Sequence, residues 1–390
     1  MKPENFRQST AGQVIRTALG YWAFIPASLP PEIAWSTPLV SVLSEAERNL
    51  SRLAGLGGAL PSPHLLARPF VRREAVLSSR IEGTRASLAD LYAYETEQLS
   101  FWGSALDVHE VYNYVRALDY GLDRLTTLPV SLRLMREIHA KLMDGVSGEH
   151  LTPGEFRRSQ NWIGPPGSTL ENASFVPPPV EEMYQALDGL EKFIHTLSEL
   201  PPLIRAGLIH YQFEAIHPFL DGNGRIGRLL IILLLCEWKL LPQPLLYLSA
   251  YFEANRQEYY DRLLAVSQGG DWEGWLTFFL NAVSTQSQDA LHRIGHLQTL
   301  RARYQECLQA ERAAERLIQA LDVLFERPIL DIRQMAALLG VPYRTAQRYI
   351  EKMVALGILR EITGRARNRL YRSDEIMQAI EGPLGEEPHG

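Results

Sequence analysis

Apolar residues recur every three to four positions along most of the chain, which predicts a mainly α-helical protein. The rhythm opens at residues 38–61, PLVSVLSEAERNLSRLAGLGGALP, pauses at Pro61 to His64, and resumes from about Leu65 to Glu82. It continues through SLADLYAYE, VHEVYNYVRALDYGLDRL and the amphipathic Leu132–Met143 segment. Helices are then predicted over Val180–Leu197, Pro202–Ala215, onward to about Leu240, and through the aromatic-rich residues 245–283. Two stretches break the rhythm. Residues 1–36 are apolar but interrupted by prolines, so an arm lying extended over the core is expected. Residues 154–179, GEFRRSQNWIGPPGSTLENASFVPPP, combine β-favouring residues with a Gly/Pro/Ser/Asn turn, which predicts a β-hairpin or extended flap. Irregular insertions of that length in a helical domain tend to be functional.

Composition narrows the setting. At 390 residues, two to three domains are expected. A net charge of −6 gives no global signature of nucleic-acid binding. The only cysteines are Cys236 and Cys307, too few for a disulfide framework or a zinc finger, so a reducing compartment is expected. The first twenty residues are too polar for a secretory signal. The longest apolar run, Leu229 to Cys236, is eight residues and far short of a membrane span. A cytoplasmic location away from membranes is the expectation.

The densest chemistry lies in residues 216–230, IHPFLDGNGRIGRLL. A residue before proline avoids the helical region, so the preceding helix should stop near His217 and expose the imidazole on a turn. Gly222-Asn223-Gly224 can adopt positive φ and aim successive N–H groups into an anion-binding concavity. The next helix starts there, and its dipole points the same way. Arg225 and Arg228 share one face of its first turn, the wrong sign for a helix N-terminus unless a multiply charged anion sits there. Asp221 is a hard oxygen ligand beside the concavity, suited to a divalent ion bridging phosphates. His217 is placed to accept a proton from an attacking hydroxyl. Together these residue types point to nucleotidyl or phosphoryl transfer. His210 lies seven residues before His217, but Pro218 breaks the helix, so a shared metal site is rejected and His210 reads as structural. His139 likewise reads as a packed core histidine.

The stretch resembles the signature loop of the Fic family, H-x-F-x-[DE]-G-N-G-R-x-x-R, with every defined position filled. The resemblance implies a Fic-type helical core with a β-hairpin flap, and an activity that moves AMP from ATP to a hydroxyl side chain of a target protein. His217 would be the base and Asp221 the Mg²⁺ ligand. Gly222, Asn223 and Gly224 would cradle phosphate, Arg225 and Arg228 would hold the β- and γ-phosphates, and Ile226 and Gly227 lie between them in the nucleotide-binding turn. Asn255, and less directly Tyr251, would contact ribose or base. For Tyr259 and Tyr260, packing and stacking on adenine stay open. The 154–179 flap would hold the target segment by main-chain pairing. A homodimer is also implied.

Upstream, Ser78-Ser79-Arg80-Ile81-Glu82-Gly83 ends a helix, with Gly83 as its cap. Glu82 is an acid at a helix C-terminus, where the dipole disfavours it. Its misfit mirrors that of Arg228, and the two could pair. The segment also fits the Fic inhibitory motif [ST]-x-x-x-E-[GN], with Ser78, Glu82 and Gly83 at its defined positions. Autoinhibition by Glu82 on Arg228 is therefore implied.

Toward the C-terminus, residues 284–311 read as a connecting helix. IRQMAALLGVPYRTAQRYIEKMVALGILREI then has a helix–turn–helix rhythm, followed by two strands around a basic turn. Arg327 to Arg372 holds ten Lys/Arg and three Asp/Glu, a local excess of positive charge in an acidic chain. The segment resembles a small winged helix-turn-helix domain, with Arg344, Thr345, Gln347 and Arg348 facing a major groove and Arg365, Arg367 and Arg369 the backbone or minor groove. Use of that domain for protein contact or dimerisation stays open. The expected layout is an arm and inhibitory helical region (1–100), a catalytic core (101–285), a connecting helix (286–312), the winged helix (313–379) and a disordered tail (380–390). Two other functions fit the same residues: a DNA-binding regulator with a nucleotide-sensing or self-modifying core, and a hydrolase that removes AMP from modified proteins.

Overall fold

The computed structural model describes residues 1–6, 9–59, 63–97, 105–146, 152–165, 167–310, 315–365 and 367–382. The elements that begin the chain are a short 3-10 helix (Pro3–Phe6), β1 (Gly12–Arg16), β2 (Trp22–Pro26), α1 (Thr37–Ala59) and α2 (Pro63–Ile81). Next come α3 (Leu88–Glu97), α4 (Ala105–Arg124), α5 (Leu132–Leu142), α6 (Val180–His195), α7 (Pro202–Ile216) and α8 (Asn223–Glu237). They are followed by α9 (Ser249–Ala254), α10 (Arg256–Gly269), α11 (Trp272–Ala310) and α12 (Glu315–Glu326). The chain closes with β3 (Ile329–Leu330), α13 (Ile332–Leu339), α14 (Tyr343–Ala355), β4 (Arg360–Glu361), β5 (Tyr371–Arg372) and α15 (Asp374–Glu381). The protein is mainly helical, as the periodicity predicts. Its described residues form two compact units: 1–51 with 113–241 and 248–286, and 52–112 with 242–247 and 287–390.

The first unit is built around α7 and α8. From Leu229 to Leu235, α8 is apolar and buried on every face, and α7 buries twelve of its fifteen residues. A helix apolar all round is a central core helix, and each such Leu or Ile contributes roughly 1.5–3 kcal/mol. Gly207 lets α7 approach α11, since a Cβ there would lie 3.1 Å from Leu276 and 3.2 Å from Phe279.

The amino-terminal segment departs from the expected arm: it is a hairpin. β1 and β2 pair antiparallel, with Val14 opposite Phe24. Gly20, at φ 89°, makes the turn possible, and Thr17 and Tyr21 close it through a 2.9 Å backbone bond. The prolines stand at or after the strand ends, where they cost no ladder bond. Among the described residues the flap is a hairpin reduced to one bridged pair, Ile163 with Phe175, through reciprocal bonds of 2.8 and 3.0 Å. Phe24 N–H donates to Val176 O at 2.9 Å, so β2 braces the flap base. Phe6, Phe24 and Phe175 pack there in a tilted cluster.

The helix expected over 286–312 is not separate. It is the second half of α11, which runs unbroken for 39 residues. Gly274 and Gly295 are the only breakers within it, and a single mid-helix glycine costs only about 1 kcal/mol.

In the second unit, α2 packs against α12 and α15, and α13 packs against α14. Asp331 and Gln334 form a capping box at the start of α13, and Gly340 at φ 60° ends it. The strands predicted around the basic turn join β3 in an antiparallel sheet of order β3-β5-β4. The expected tail begins too early in the prediction. Ile380 is fully buried in α15, and Arg293 donates to Ala379 O and Gly382 O at 3.1 and 3.0 Å. Residues 383–390 of that tail lie outside the described residues.

Candidate active site

The loop between α7 and α8 turns where the sequence places the turn. α7 ends at Ile216, and His217 takes φ 48°, ψ 61°. A left-handed conformation costs a non-glycine residue roughly 1–2 kcal/mol. The flap supplies compensation. The carbonyl of His217 accepts from Arg157 Nε at 3.0 Å and from Asn161 Nδ2 at 3.1 Å. Arg157 N–H also donates to Pro218 O at 2.9 Å. A hydrogen bond from a charged donor contributes about 1.5–3 kcal/mol, so the clamp outweighs the strain. The His217 ring is half-buried, and its Nδ1 lies 3.3 Å from Glu214 O. A carbonyl only accepts, so Nδ1 carries the hydrogen and the neutral ring holds its lone pair on Nε2.

Asn223 then fixes where α8 begins. Its Oδ1 accepts from Phe219 N–H and its Nδ2 donates to Phe219 O, both at 2.8 Å. The expected run of positive φ over Gly222–Gly224 therefore reduces to one residue. Gly222 has φ 79°, while Asn223 and Gly224 already belong to the first helical turn. A Cβ on Gly222 would also lie 3.1 Å from Met143 Sδ. What faces outward is a helix N-terminus rather than a three-residue nest. No described atom accepts from the Asn223 or Gly224 amides, and Gly222 N–H is held by Asp221 Oδ1 at 2.6 Å. Such an end favours an anion through its open N–H groups and its dipole.

Asp221 keeps a side chain 45% exposed, with Oδ1 3.7 Å from Arg225 Nη2. Arg225 and Arg228 are 3% and 2% exposed, so neither is splayed into solvent. Arg228 lies close enough to His210 to oppose its protonation. Ile226 and Gly227 build the corner from inside. Ile226 N–H makes the first helical bond, to Gly222 O at 3.0 Å, and its side chain is fully buried. A Cβ on Gly227 would fall 2.2 Å from Glu214 Oε1 and 3.2 Å from His210 Cε1, so glycine leaves room for these two α7 side chains against α8.

Three residues that the sequence reading left out of the site hold it together. Arg157 is fully buried, and burial pushes its guanidinium down to about 10. Asn161 Nδ2 bridges His217 O and Phe219 O. His139 is packed, as expected, but it also links flap and loop. It stacks on Phe219 at 3.8 Å, accepts from Gly154 N–H at 2.8 Å, and its Nε2–H donates to Asp221 O at 3.1 Å. Burial pushes the imidazole down to about 4, so it stays neutral near pH 7. In sequence, Arg157 next to Arg158 looks like a surface pair, and no spacing rule distinguishes the buried one.

The remaining site residues sit as follows. Asn255 is half-buried between α9 and α10, with Nδ2 donating to Tyr251 O at 2.9 Å. Tyr251 is half-buried edge-on against Phe278, at 5.3 Å. Tyr259 is core, 1% exposed among Phe252, Trp275 and His210, whereas Tyr260 is 38% exposed. Ser78, Glu82 and Gly83 belong to the second unit. Ser78 is buried, and Glu82 and Gly83 are exposed just past the end of α2, with Gly83 at φ 109°. No group of three or more His, Cys, Asp or Glu among the described residues is arranged to hold a metal. Asp221 alone still suits Mg²⁺, which binds through one or two carboxylates plus substrate phosphates.

Two core helices meeting at an anion-facing corner, with a histidine on the turn and a flap clamped to it, define the class: a helical Fic-type fold. Residues 40–123 match the Fic/DOC family N-terminal region and residues 129–235 match the Fic/DOC family, so the chain carries a Fic N-terminal region followed by a Fic domain. Among curated relatives, the protein adenylyltransferase Fic of Drosophila erecta is 29% identical over 159 residues, 40% of this chain and 30% of its own length. The protein of the same name from Drosophila willistoni is 29% identical over 200 residues, 48% of this chain and 38% of its own length. The matched stretch thus spans well under half of those relatives. A crystal structure of a Fic family protein from Desulfovibrio desulfuricans G20 aligns with TM-score 0.57 at 19% identity, covering 88% of this chain and 98% of its own. Fic-1 from C. elegans aligns with TM-score 0.52 at 23% identity, covering 67% of this chain and 75% of that one. No described helix is long and apolar enough to cross a membrane.

Proposed function

We propose that this chain is a protein adenylyltransferase: it moves AMP from ATP to a hydroxyl side chain of a target protein and is restrained by Glu82. The observation that carries the reading is the His217 corner, where an imidazole with Nδ1 3.3 Å from Glu214 O stands beside a helix N-terminus, a half-exposed carboxylate and two buried arginines. The relatives named protein adenylyltransferase support the same reading at the level of the family.

In this reading the triphosphate lies on the α8 N-terminus, with Arg225 and Arg228 taking the outer phosphates. Mg²⁺, held through Asp221, would neutralise phosphate charge when bound. His217 Nε2 removes the proton from the target hydroxyl as its oxygen attacks the α-phosphorus. The bond from that phosphorus to the bridging oxygen breaks, and pyrophosphate leaves with the electron pair. The chain's contribution is position and charge, which suffices where the transferring group does most of the chemistry. The target segment would pair with the flap edge near Ile163, and a second copy of the chain is the expected partner in solution. Glu82 would compete for Arg228 and keep the γ-phosphate from its site.

The test is label from α-phosphate-labelled ATP in a lysate. Glu82→Gly raises protein-bound label above wild type, and His217→Ala removes it. Equal labelling by wild type and Glu82→Gly would remove the restraint from the account.

A second reading is favoured by a separate observation. Arg344, Arg348, Arg365, Arg367 and Arg369 are all exposed in the C-terminal segment. This suits a winged helix that contacts DNA phosphates, with the Fic domain as a sensor. A gel shift on promoter fragments should then weaken steeply with salt. Absence of any shift at low salt would end that reading.

A further inference from the structure

We infer that Arg157 and Asn161 are positioning residues for His217: they hold its backbone in the left-handed conformation and thereby set which ring nitrogen receives the substrate proton. This rests on His217 acting as the base in the reading above.

In a right-handed helix the His217 carbonyl would point along α7 toward the next turn. At φ 48°, ψ 61° it points instead into the flap, where two side chains donate to it. Arg157 is fully buried, and its two Nη groups donate to Ser159 O and Pro178 O, on both arms of the flap. Asn161 ties the same carbonyl to that of Phe219, two residues on. The side-chain bonds of both residues go to carbonyl oxygens and none to the ring, so both act through the backbone. The consequence for the ring is specific. The left-handed turn brings Nδ1 back to Glu214 O, one turn earlier, and that bond fixes the tautomer. Without the clamp, His217 relaxes toward the extended conformation preferred before proline. Nδ1 then loses Glu214 O, and Nε2 no longer holds the lone pair in every molecule.

Two readouts test this on the full chain. Side-chain ¹H–¹⁵N histidine spectra at pH 8, with His217 assigned by its loss in His217→Ala, should show a single Nδ1–H tautomer in wild type. Arg157→Lys and Asn161→Ala should shift that signal toward a tautomer mixture. Transfer kinetics in the Glu82→Gly background should show kcat down about a hundredfold, the cost of misplacing a reacting group by an ångström. KM for ATP should stay within about twofold, because the nucleotide contacts lie elsewhere. If both variants keep the wild-type His217 signal and only the KM for the target rises, the two residues merely order the flap and the inference fails. A mixed tautomer in wild type would also overturn it. Asn161→Ala removes only donor bonds, so it serves if Arg157→Lys does not fold. Should wild type and Glu82→Gly transfer no AMP at all, the proposed function falls, while the spectra still decide whether the clamp sets the tautomer.

Discussion

His210 makes the packing of α7 on α8 sensitive to acid in a way that can be measured. The ring is fully buried, donates from Nδ1 to Gly227 O at 3.1 Å, and accepts from Tyr259 O–H at Nε2, 2.8 Å away. Burial, and secondarily Arg228, push its protonation down to about 3. In the unfolded chain the same group titrates near 6.5. Below pH 6.5 the unfolded state therefore binds a proton that the folded state does not, so stability falls as pH falls. Between pH 7.5 and pH 5 the loss from this one residue is about 2 kcal/mol, from about 1.4 kcal/mol per unit of displacement. The perturbation is His210→Gln, which cannot titrate. Urea unfolding of both proteins across that range gives the stabilities. The variant is less stable at pH 7.5 because it loses the ring contacts. The gap to wild type should shrink by about 2 kcal/mol on going to pH 5. A gap that stays constant would mean that His210 is charged in the folded protein or exposed to solvent.

Other outcomes follow from the same geometry. Gly227→Ala places a Cβ 2.2 Å from Glu214 Oε1 and should cost about 1–3 kcal/mol in unfolding stability, with weakened ATP binding measured by calorimetry. Asn223→Ala removes both bonds to Phe219 and should cost about 1–2 kcal/mol, read by thermal unfolding. Gly222→Ala should be destabilised by about 1–2 kcal/mol from its φ of 79°, whereas Gly224→Ala, in a helical conformation, should not.

Which features were readable from the sequence follows a physical line. The helices were, because amphipathic period and burial are the same fact seen twice: the apolar run after Arg228 is the buried α8. The turn at His217 was, because Pro218 forbids continuation. The N-terminal hairpin was not, because its prolines read as breaks although they stand at strand ends, and the pairing of Val14 with Phe24 is set by a tertiary surface. The start of α8 was also readable, but the role of Asn223 was not, since it looked like part of a cradle, and only the structure shows its side chain tied to Phe219. Arg157, Asn161 and His139 were missed as site residues for a related reason. They act across some fifty to eighty residues of chain, and a residue that works by holding a distant carbonyl leaves no local spacing to read.

In the proposed function this corner breaks ATP between its α- and β-phosphates. Glu82→Gly protein incubated with a target-containing lysate and ATP labelled separately at the α- and γ-phosphates tests it most directly. Label is expected on protein from the α-position alone, matched by released pyrophosphate carrying the γ-label, and neither with His217→Ala. Label on protein from the γ-position, or release of γ-phosphate without protein-bound AMP, would contradict it.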